Sequence, residues 1–181
     1  KENFYVSAYE EELKKVCEKH GVNVFHRSEK SAMSEGTPMT EIYEWWDKLP
    51  YTHCILINAC APFFKLSTID NFTQKYLDSE ADGMFAVMEK KNYFWNENYD
   101  LITPWPKGYE VMNTKYVSPT YEAAHCLYAS RMDSIGKNIW MGDFQKPGDI
   151  ELFPVDEEEC LDIDYPWQFE MCETLYKSGK R

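Results

Sequence analysis

Strand-like and helix-like patterns alternate through the first half of this chain, and this alternation constrains the fold more than any other feature of the sequence. Short predicted strands at residues 4–7 and 22–25 flank an amphipathic helix over residues 9–19. Residues 54–57 form an unbroken apolar run, which is typical of a strand covered on both faces. Further helices are predicted from Thr37 to about Lys48 and from Ser67 onward, and further strands at 83–88, 123–130 and 150–155. We place Leu13, Val16, Cys17, Phe72, Tyr76 and Leu77 on the buried sides of these helices. The sequence therefore predicts an α/β fold with a mainly parallel sheet and helices on both of its faces.

Length and charge narrow the possible partners. The 181 residues suit one domain with a substantial core, and the net charge of -12 argues against nucleic acid or an anionic membrane as a partner. No apolar run approaches the roughly 20 residues that span a bilayer. The six cysteines form no C-x-x-C pair. We therefore expect free thiols in a reducing, cytoplasmic environment.

The clearest chemical signal is the stretch over residues 160–167, which has the pattern of a strand that turns into a helix at Pro166. Alternation along a strand would point Asp162 and Asp164 to the same face. Two carboxylates at a strand end suit Mg2+, which is commonly held by one or two carboxylates together with substrate phosphates. The same D-x-D pattern also occurs at solvated strand ends that bind no ligand, so the pattern alone leaves both interpretations open.

Polar residues that follow predicted strands are the other candidates for a site, because ligands of open parallel sheets bind beyond the carboxyl ends of the strands. These residues are Ser7, Arg27 with the loop to Thr37, Asn58 with the loop to Pro62, and the two aspartates. The set suits phosphate chemistry better than acyl chemistry. Neither the G-x-S-x-G nor the G-x-x-x-x-G-K-[ST] motif occurs in the sequence.

Two further features are less specific. His125 stands at the entrance to a predicted strand, where it is either structural or a hydrogen-bond donor to a substrate. Glu122 is either a solvated carboxylate or a group that orients a substrate hydroxyl. Residues 91–118 have no helical period and many aromatic side chains, which predicts an extended arm that contacts another subunit, covers a substrate or packs on its own domain.

Several short motifs, taken in order, resemble one enzyme family. They are F-Y-V-S-A-Y-E-E-E-L at 4–13, F-H-R-S-E at 25–29, E-G-T-P at 35–38, I-L-I-N-A-C-A-P-F at 55–63, Y-E-A-A-H at 121–125 and L-D-I-D-Y-P-W-Q-F-E at 161–170. The series is similar to the cytidylyltransferases that activate acidic sugars, namely the CMP-N-acylneuraminate synthetases and their CMP-Kdo synthetase relatives. The resemblance extends from about Phe4 to Tyr176.

This resemblance implies a Rossmann-like nucleotidyltransferase in which a sugar hydroxyl attacks the α-phosphate of CTP and releases pyrophosphate. It implies Mg2+ on Asp162 and Asp164, which would also be the catalytic residues, and a homodimer formed through the arm at 91–118. The nucleotide-binding residues by resemblance are Arg27, Gly36, Thr37, Asn58 and Ala59. The acceptor-binding residues by resemblance are Ala61, Pro62, Tyr121, Glu122 and His125.

The sequence departs from the family pattern in three places. The family opens with a strand and a Gly-rich basic loop, which we expect to precede residue 1. Asn58-Ala59-Cys60-Ala61-Pro62 stands where the family has Gln-x-Thr-Ser-Pro, and the Y-E-A-A-H motif replaces an Asn-Gly pair of the sialate-activating members. These departures leave the acceptor open. They also leave two alternatives, a non-catalytic relative and a D-x-D enzyme that uses a nucleotide-sugar.

Overall fold

A computed structural model describes residues 2–33 and 35–179 of the chain. The described residues form six strands: β1 Tyr5–Ala8, β2 Asn23–His26, β3 His53–Ile57, β4 Gly83–Lys90, β5 Thr120–Arg131 and β6 Ile150–Pro154. The helices are α1 Glu11–Lys19, α2 Glu29–Ala32, α3 Met39–Ile42, α4 Leu66–Asp78, α5 Met132–Ile135 and α6 Pro166–Lys177. Short 3-10 helices cover Glu44–Asp47, Thr114–Tyr116 and Glu157–Cys160. The predicted α/β class is confirmed.

The strands form two sheets. Strands β1 and β2 pair in parallel on either side of the α1 crossover. The four-stranded sheet has the order β3-β5-β4-β6, in which β4 and β6 are parallel and β5 runs antiparallel to both of its neighbours. Strand β3 therefore points the same way as β4 and β6, so their carboxyl ends lie at one edge of the sheet. The sequence predicted β5 but gave no sign of its reversed direction.

The four-stranded sheet has two differently covered faces. On the first, which we call the helix face, Phe72 and Tyr76 of α4 pack with Met84 and Leu127 of the sheet. On the second, the aromatic face, Trp45 packs with Met132 and Ile135, and further rings surround them. Alternation along β3 sends Ile55 and Ile57 to the helix face and Cys54 to the aromatic face.

The amino end of α4 is held by a residue from far along the chain. The backbone N–H of Lys65, at the N-cap position, donates to Glu159 Oε2 at 3.1 Å, and the Lys65 ammonium lies 2.9 Å from Glu159 Oε1. Glu159 is almost completely buried. This carboxylate therefore ties the 3-10 helix Glu157–Cys160 to the start of α4.

Four sequence predictions about local structure are wrong. The D-x-D stretch at 161–164 has no regular secondary structure and belongs to no β-ladder, because the N–H of Ile163 donates to Cys60 O in a loop instead of to a neighbouring strand. The helix predicted from Thr37 is broken into α3 and a 3-10 helix. Leu13 and Val16 of α1 are more than half exposed, and so is Leu77 of α4.

The arm at residues 91–118 is irregular, as predicted. A single bridge joins Trp95 to Leu101, and Tyr93 is buried against Trp105 with 5.4 Å between ring centroids. Large apolar side chains remain exposed along it, among them Tyr99, Ile102 and Val111. Among the helices of the described residues, none has both the length and the apolarity needed to cross a membrane.

Candidate functional site

Asn58, the residue that follows β3, joins three segments at the carboxyl edge of the sheet. Its N–H donates to Cys126 O at 2.9 Å, and its Nδ2 donates to His125 O at 3.2 Å and to Asp162 Oδ1 at 3.4 Å. Its Oδ1 accepts the N–H of Cys60 at 2.9 Å. The structure thus brings together Asn58, His125 and Asp162, three of the residues that the sequence singled out.

The two aspartates lie in different surroundings. Asp162 is half-buried and bonded to Asn58, whereas Asp164 is exposed. Gln168 Oε1 accepts the backbone N–H groups of Asp164 and Tyr165, both at 2.7 Å, so Asp164 stands at the amino end of α6. Because 161–164 is outside a ladder, strand alternation no longer argues that the two carboxylates share a direction.

His125 occupies an irregular part of β5. The pairing of β4 with β5 shifts register between Phe85, opposite Tyr128, and Val87, opposite Ala123. Within this bulge His125 has a left-handed backbone, with φ of 52°. Non-glycine residues adopt this conformation at a cost and often do so at functional sites.

The His125 ring is paired with a tyrosine that stays protonated. Its Nδ1 lies 3.3 Å from the hydroxyl of Tyr128. Burial raises the pKa of Tyr128 to about 12, and the negative charge of Asp162 adds to that rise. Tyr128 is therefore a neutral phenol at physiological pH. Its hydroxyl can donate to or accept from His125 Nδ1 and so orient the imidazole ring.

A cavity of about 380 Å³ opens beside this pair on the aromatic face. Its lining is mostly aromatic and consists of Tyr43, Phe85, Ala123, His125, Tyr128, Trp140, Met141 and Phe144. Tyr43 stacks on Trp140 with ring centroids 4.8 Å apart, and Phe85 meets Phe144 at 5.9 Å. The lining contains no Asp, Glu, Lys or Arg.

The sequence identified His125 at this cavity but missed the rest of its wall as a site. Tyr43 lies in the helix predicted from Thr37, and no sequence pattern connects it with a site. The lining comes from separate segments whose convergence no local pattern reveals. Gly83 is a sequence feature that relates to this wall. A Cβ there would lie 1.8 Å from the backbone oxygen of Met141, so a glycine is needed for the segment of Trp140 and Met141 to approach β4 this closely.

The residues predicted to bind the nucleotide are divided between two places. Arg27 and the segment with Gly36 and Thr37 follow β2, and within the described residues their side chains bond to Ser31 and Met33 and not to Asn58. Arg27 donates from Nε to Ser31 Oγ at 3.1 Å. Burial raises the pKa of Tyr43, and the positive charge of Arg27 partly opposes that rise.

The remaining predicted residues surround the Asn58 edge. Ala59 and Pro62 are exposed in the loop after β3, whereas the side chain of Ala61 packs in the core of the helix face. Only backbone atoms of Ala61 could therefore contact a substrate. Tyr121 is exposed, and Glu122 lies 3.7 Å from the Lys90 ammonium.

Asp162 and Asp164 are the carboxylates that the sequence analysis assigned to Mg2+. Within the described residues, no group of three or more His, Cys, Asp or Glu side chains is arranged to hold a metal by itself. Magnesium commonly takes one or two protein carboxylates and completes its shell with water and substrate phosphates. Asp162, half-buried beside Asn58, could supply one such carboxylate, and Asp164 is exposed two residues further on.

The sequence matches no protein-family model, and no curated protein is significantly similar to it. Solved structures do share its fold. A CMP:2-keto-3-deoxy-manno-octonic acid synthetase complexed with CTP aligns over 97% of this chain and 80% of its own, with a TM-score of 0.63 and 12% identity. The 4-diphosphocytidyl-2C-methyl-D-erythritol synthase of Anaerococcus prevotii aligns over 96% and 80%, with a TM-score of 0.65 and 12% identity. HddC from Yersinia pseudotuberculosis aligns over 94% and 76%, with a TM-score of 0.51 and 15% identity.

Proposed function

We propose that this chain is a cytidylyltransferase that transfers CMP from CTP to a hydroxyl group of an acidic sugar and releases pyrophosphate. The observation that supports this most is the convergence of Asn58, His125 and Asp162 at the carboxyl edge of the sheet, beside a cavity. The fold is that of two synthetases whose names specify cytidylyl products, one of them complexed with CTP. In such sheets ligands bind at this edge.

In this proposal the acceptor lies between the cavity and Asp162. The Tyr128 hydroxyl holds the His125 ring, which hydrogen-bonds the attacking hydroxyl of the sugar. Asn58 fixes Asp162 and the backbone of His125 relative to each other. The reacting groups are thereby positioned before the reaction, which is a large part of catalysis of phosphoryl and nucleotidyl transfer.

Asp162 and Asp164 would hold Mg2+, which when bound supplies positive charge next to the phosphates of CTP. The nucleotide would contact Arg27, Gly36, Thr37, Asn58 and Ala59. The sugar would contact Ala61 through its backbone, together with Pro62, Tyr121, Glu122 and His125.

We also propose a cytoplasmic homodimer. The exposed aromatic and aliphatic side chains of residues 91–118 are suited to a subunit contact, because such residues are enriched at interface cores. All six cysteines are free in the structure, in keeping with a reducing compartment.

The test is a pyrophosphate-release assay on the full-length gene product with Mg2+, a panel of acidic sugars and each of the four nucleoside triphosphates. We expect turnover with CTP. Asp162→Asn should lower kcat by at least about a hundredfold, since the variant loses a charge beside the phosphates. Asp70→Asn is the matched control, because Asp70 is exposed on α4.

Two results would overturn the proposal. One is the absence of pyrophosphate release with every sugar although the protein is folded, which would favour a non-catalytic relative. The other is an Asp162→Asn variant as active as the Asp70→Asn control. A clear preference for UTP or for a UDP-sugar would instead favour the D-x-D nucleotide-sugar alternative.

A further inference from the structure

We propose that the cavity on the aromatic face determines which acceptor is used: it takes an uncharged, apolar or flat-faced part of the acceptor and leaves the acidic group outside. The inference rests on the proposed function, because it identifies the cavity as the neighbour of the reacting hydroxyl. It adds a substrate class, an acidic sugar that carries an apolar substituent, and two specificity-determining residues, Trp140 and Phe144.

The chemistry of the wall excludes a charged group from the interior. The eight lining residues include no ionised carboxylate, ammonium or guanidinium, and most of the wall is aromatic. An ion placed there would lose its hydration without gaining a partner of opposite charge, which is costly. A carboxylate would therefore stay outside the cavity.

The Trp140 ring is held in place before a ligand arrives. Trp140 meets Tyr43 at 4.8 Å, Trp45 at 6.4 Å and Tyr128 at 6.4 Å between ring centroids. Trp45 is itself buried. A ring held on several sides loses little freedom when a ligand packs on it, so its surface binds at low entropic cost.

The backbone around the cavity is also held in an unusual conformation. His125 and Met141, both in the wall, have left-handed backbones with φ of 52° and 63°. The contact of Gly83 with the Met141 backbone fixes the second of these. Such conformations persist where the surroundings impose them, and they are often found at ligand sites.

Its size and polar rim define the ligand further. A volume of about 380 Å³ corresponds to roughly a dozen water molecules, enough for a six-membered ring or a short acyl chain. The hydrogen-bonded pair of His125 and Tyr128 lies in the wall, and Asn58 connects His125 to Asp162. An apolar group inside the cavity would thus place an adjacent hydroxyl near His125, at the carboxyl edge of the sheet.

The experiment compares acidic sugars with and without an acyl or aromatic substituent in the pyrophosphate assay. We expect the substituted member of a pair to have roughly tenfold higher kcat/KM, the usual scale for a hydrophobic pocket. Phe144→Ala and Trp140→Ala should raise its KM by about the same factor with little change in kcat, and Trp140→Phe should restore most of the loss. Tyr176→Ala is the control, because Tyr176 is 70% exposed on α6.

A second readout separates the two proposals. Phenyl β-D-glucopyranoside, an uncharged aromatic glycoside, is titrated calorimetrically without CTP, and we expect binding that weakens about tenfold in Phe144→Ala. Such binding without any pyrophosphate release would defeat the proposed function and leave the cavity assignment standing. Turnover with equal kcat/KM for both members of a sugar pair, or unchanged KM in Phe144→Ala, would overturn the cavity assignment. Phe144 is 66% exposed, so this variant folds even where Trp140→Ala does not.

Discussion

The two faces of the four-stranded sheet share the same strands but are covered in different ways. On the helix face, one helix of 13 residues lays Phe72 and Tyr76 over small and aliphatic side chains, and Phe72, Met84 and Leu127 are completely buried. On the aromatic face, the cover consists of α3, a 3-10 helix and α5, each of four residues. Short elements cannot cover the sheet continuously, so large rings bridge the gaps and a cavity remains.

The difference separates stability from recognition. A long amphipathic helix can close a core because its apolar side chains recur along one stripe. The aromatic face instead uses rings that contact one another at 4.8 to 6.4 Å, which keeps a surface open while remaining rigid. Substitutions on the helix face should therefore act mainly on folding, and substitutions at the cavity mainly on binding.

The largest effect should come from Phe72→Ala. This side chain is completely buried on the helix face and meets Phe153 edge-on at 5.3 Å. Removing a buried phenyl ring costs about 4 kcal/mol, from lost burial and from the cavity left behind. Urea unfolding followed by circular dichroism measures this loss. If the free energy of unfolding fell by less than about 1 kcal/mol, Phe72 would not be packed in a tight core on the helix face.

Gly83→Ala should have the next largest effect and should change both the stability of the protein and the cavity wall. The new Cβ would lie 1.8 Å from Met141 O, so the backbone that forms part of the cavity wall must move. Forcing an extra methyl group into a packed site costs about 2 kcal/mol. We expect a lower urea midpoint together with weaker binding of phenyl β-D-glucopyranoside. If the variant bound phenyl β-D-glucopyranoside as tightly as the native chain, the backbone contact at Gly83 would not shape the cavity.

Glu159→Gln tests the carboxylate that holds the start of α4. Burial tends to raise the Glu159 pKa, but hydrogen bonds from the Lys65 side chain and backbone outweigh it, so the pKa is below its usual value. Folding therefore favours the ionised form. Losing these charged hydrogen bonds should cost about 2 kcal/mol at pH 7.

The pH dependence supplies the sign of this effect. Because the Glu159 pKa is lowered in the folded state, the ionised carboxylate contributes its full stabilisation above the unfolded-state pKa of about 4.3. This stabilisation disappears as the pH falls through the folded-state pKa. The difference between the native chain and Glu159→Gln should therefore shrink under acidic conditions. Glu170→Gln, an exposed change on α6, should show no such difference. A gap between native and variant stability that persists at acidic pH would contradict the role of the Glu159 charge.

Phe144→Ala should have the smallest effect on stability and gives the sharpest contrast with Phe72→Ala. Phe144 is mostly exposed at the cavity and meets only the Phe85 ring among the aromatic side chains of the described residues. We expect a loss of less than about 0.5 kcal/mol in unfolding free energy, as for surface positions. If instead this change destabilised the protein as strongly as Phe72→Ala, the distinction between the two faces would fail.

The sequence was informative wherever a single segment determined its own structure. The apolar run at 54–57 predicted β3, and the spacing of Phe72 and Tyr76 predicted the buried side of α4. Pro166 predicted the start of α6. In these cases local periodicity and burial agree, so the pattern was sufficient.

It failed where the outcome depended on distant segments. The alternation at 161–164 matches a strand, but which backbone groups those residues bond is decided by the loop at Cys60, 103 positions earlier in numbering. Leu13 and Val16 have helical spacing, yet no described element covers them. The cavity brings together residues from Tyr43 to Phe144, and the reversed direction of β5 that aligns them has no signature in the letters.

The arm leaves the sheet at the end of β4 and returns at the start of β5, and these two strands are hydrogen-bonded neighbours. His125 lies only five residues beyond the start of β5. Paired residues of β4 and β5 therefore connect the base of the arm to the bulge that contains His125. A partner bound to the arm would therefore border the same pair of strands that carries His125.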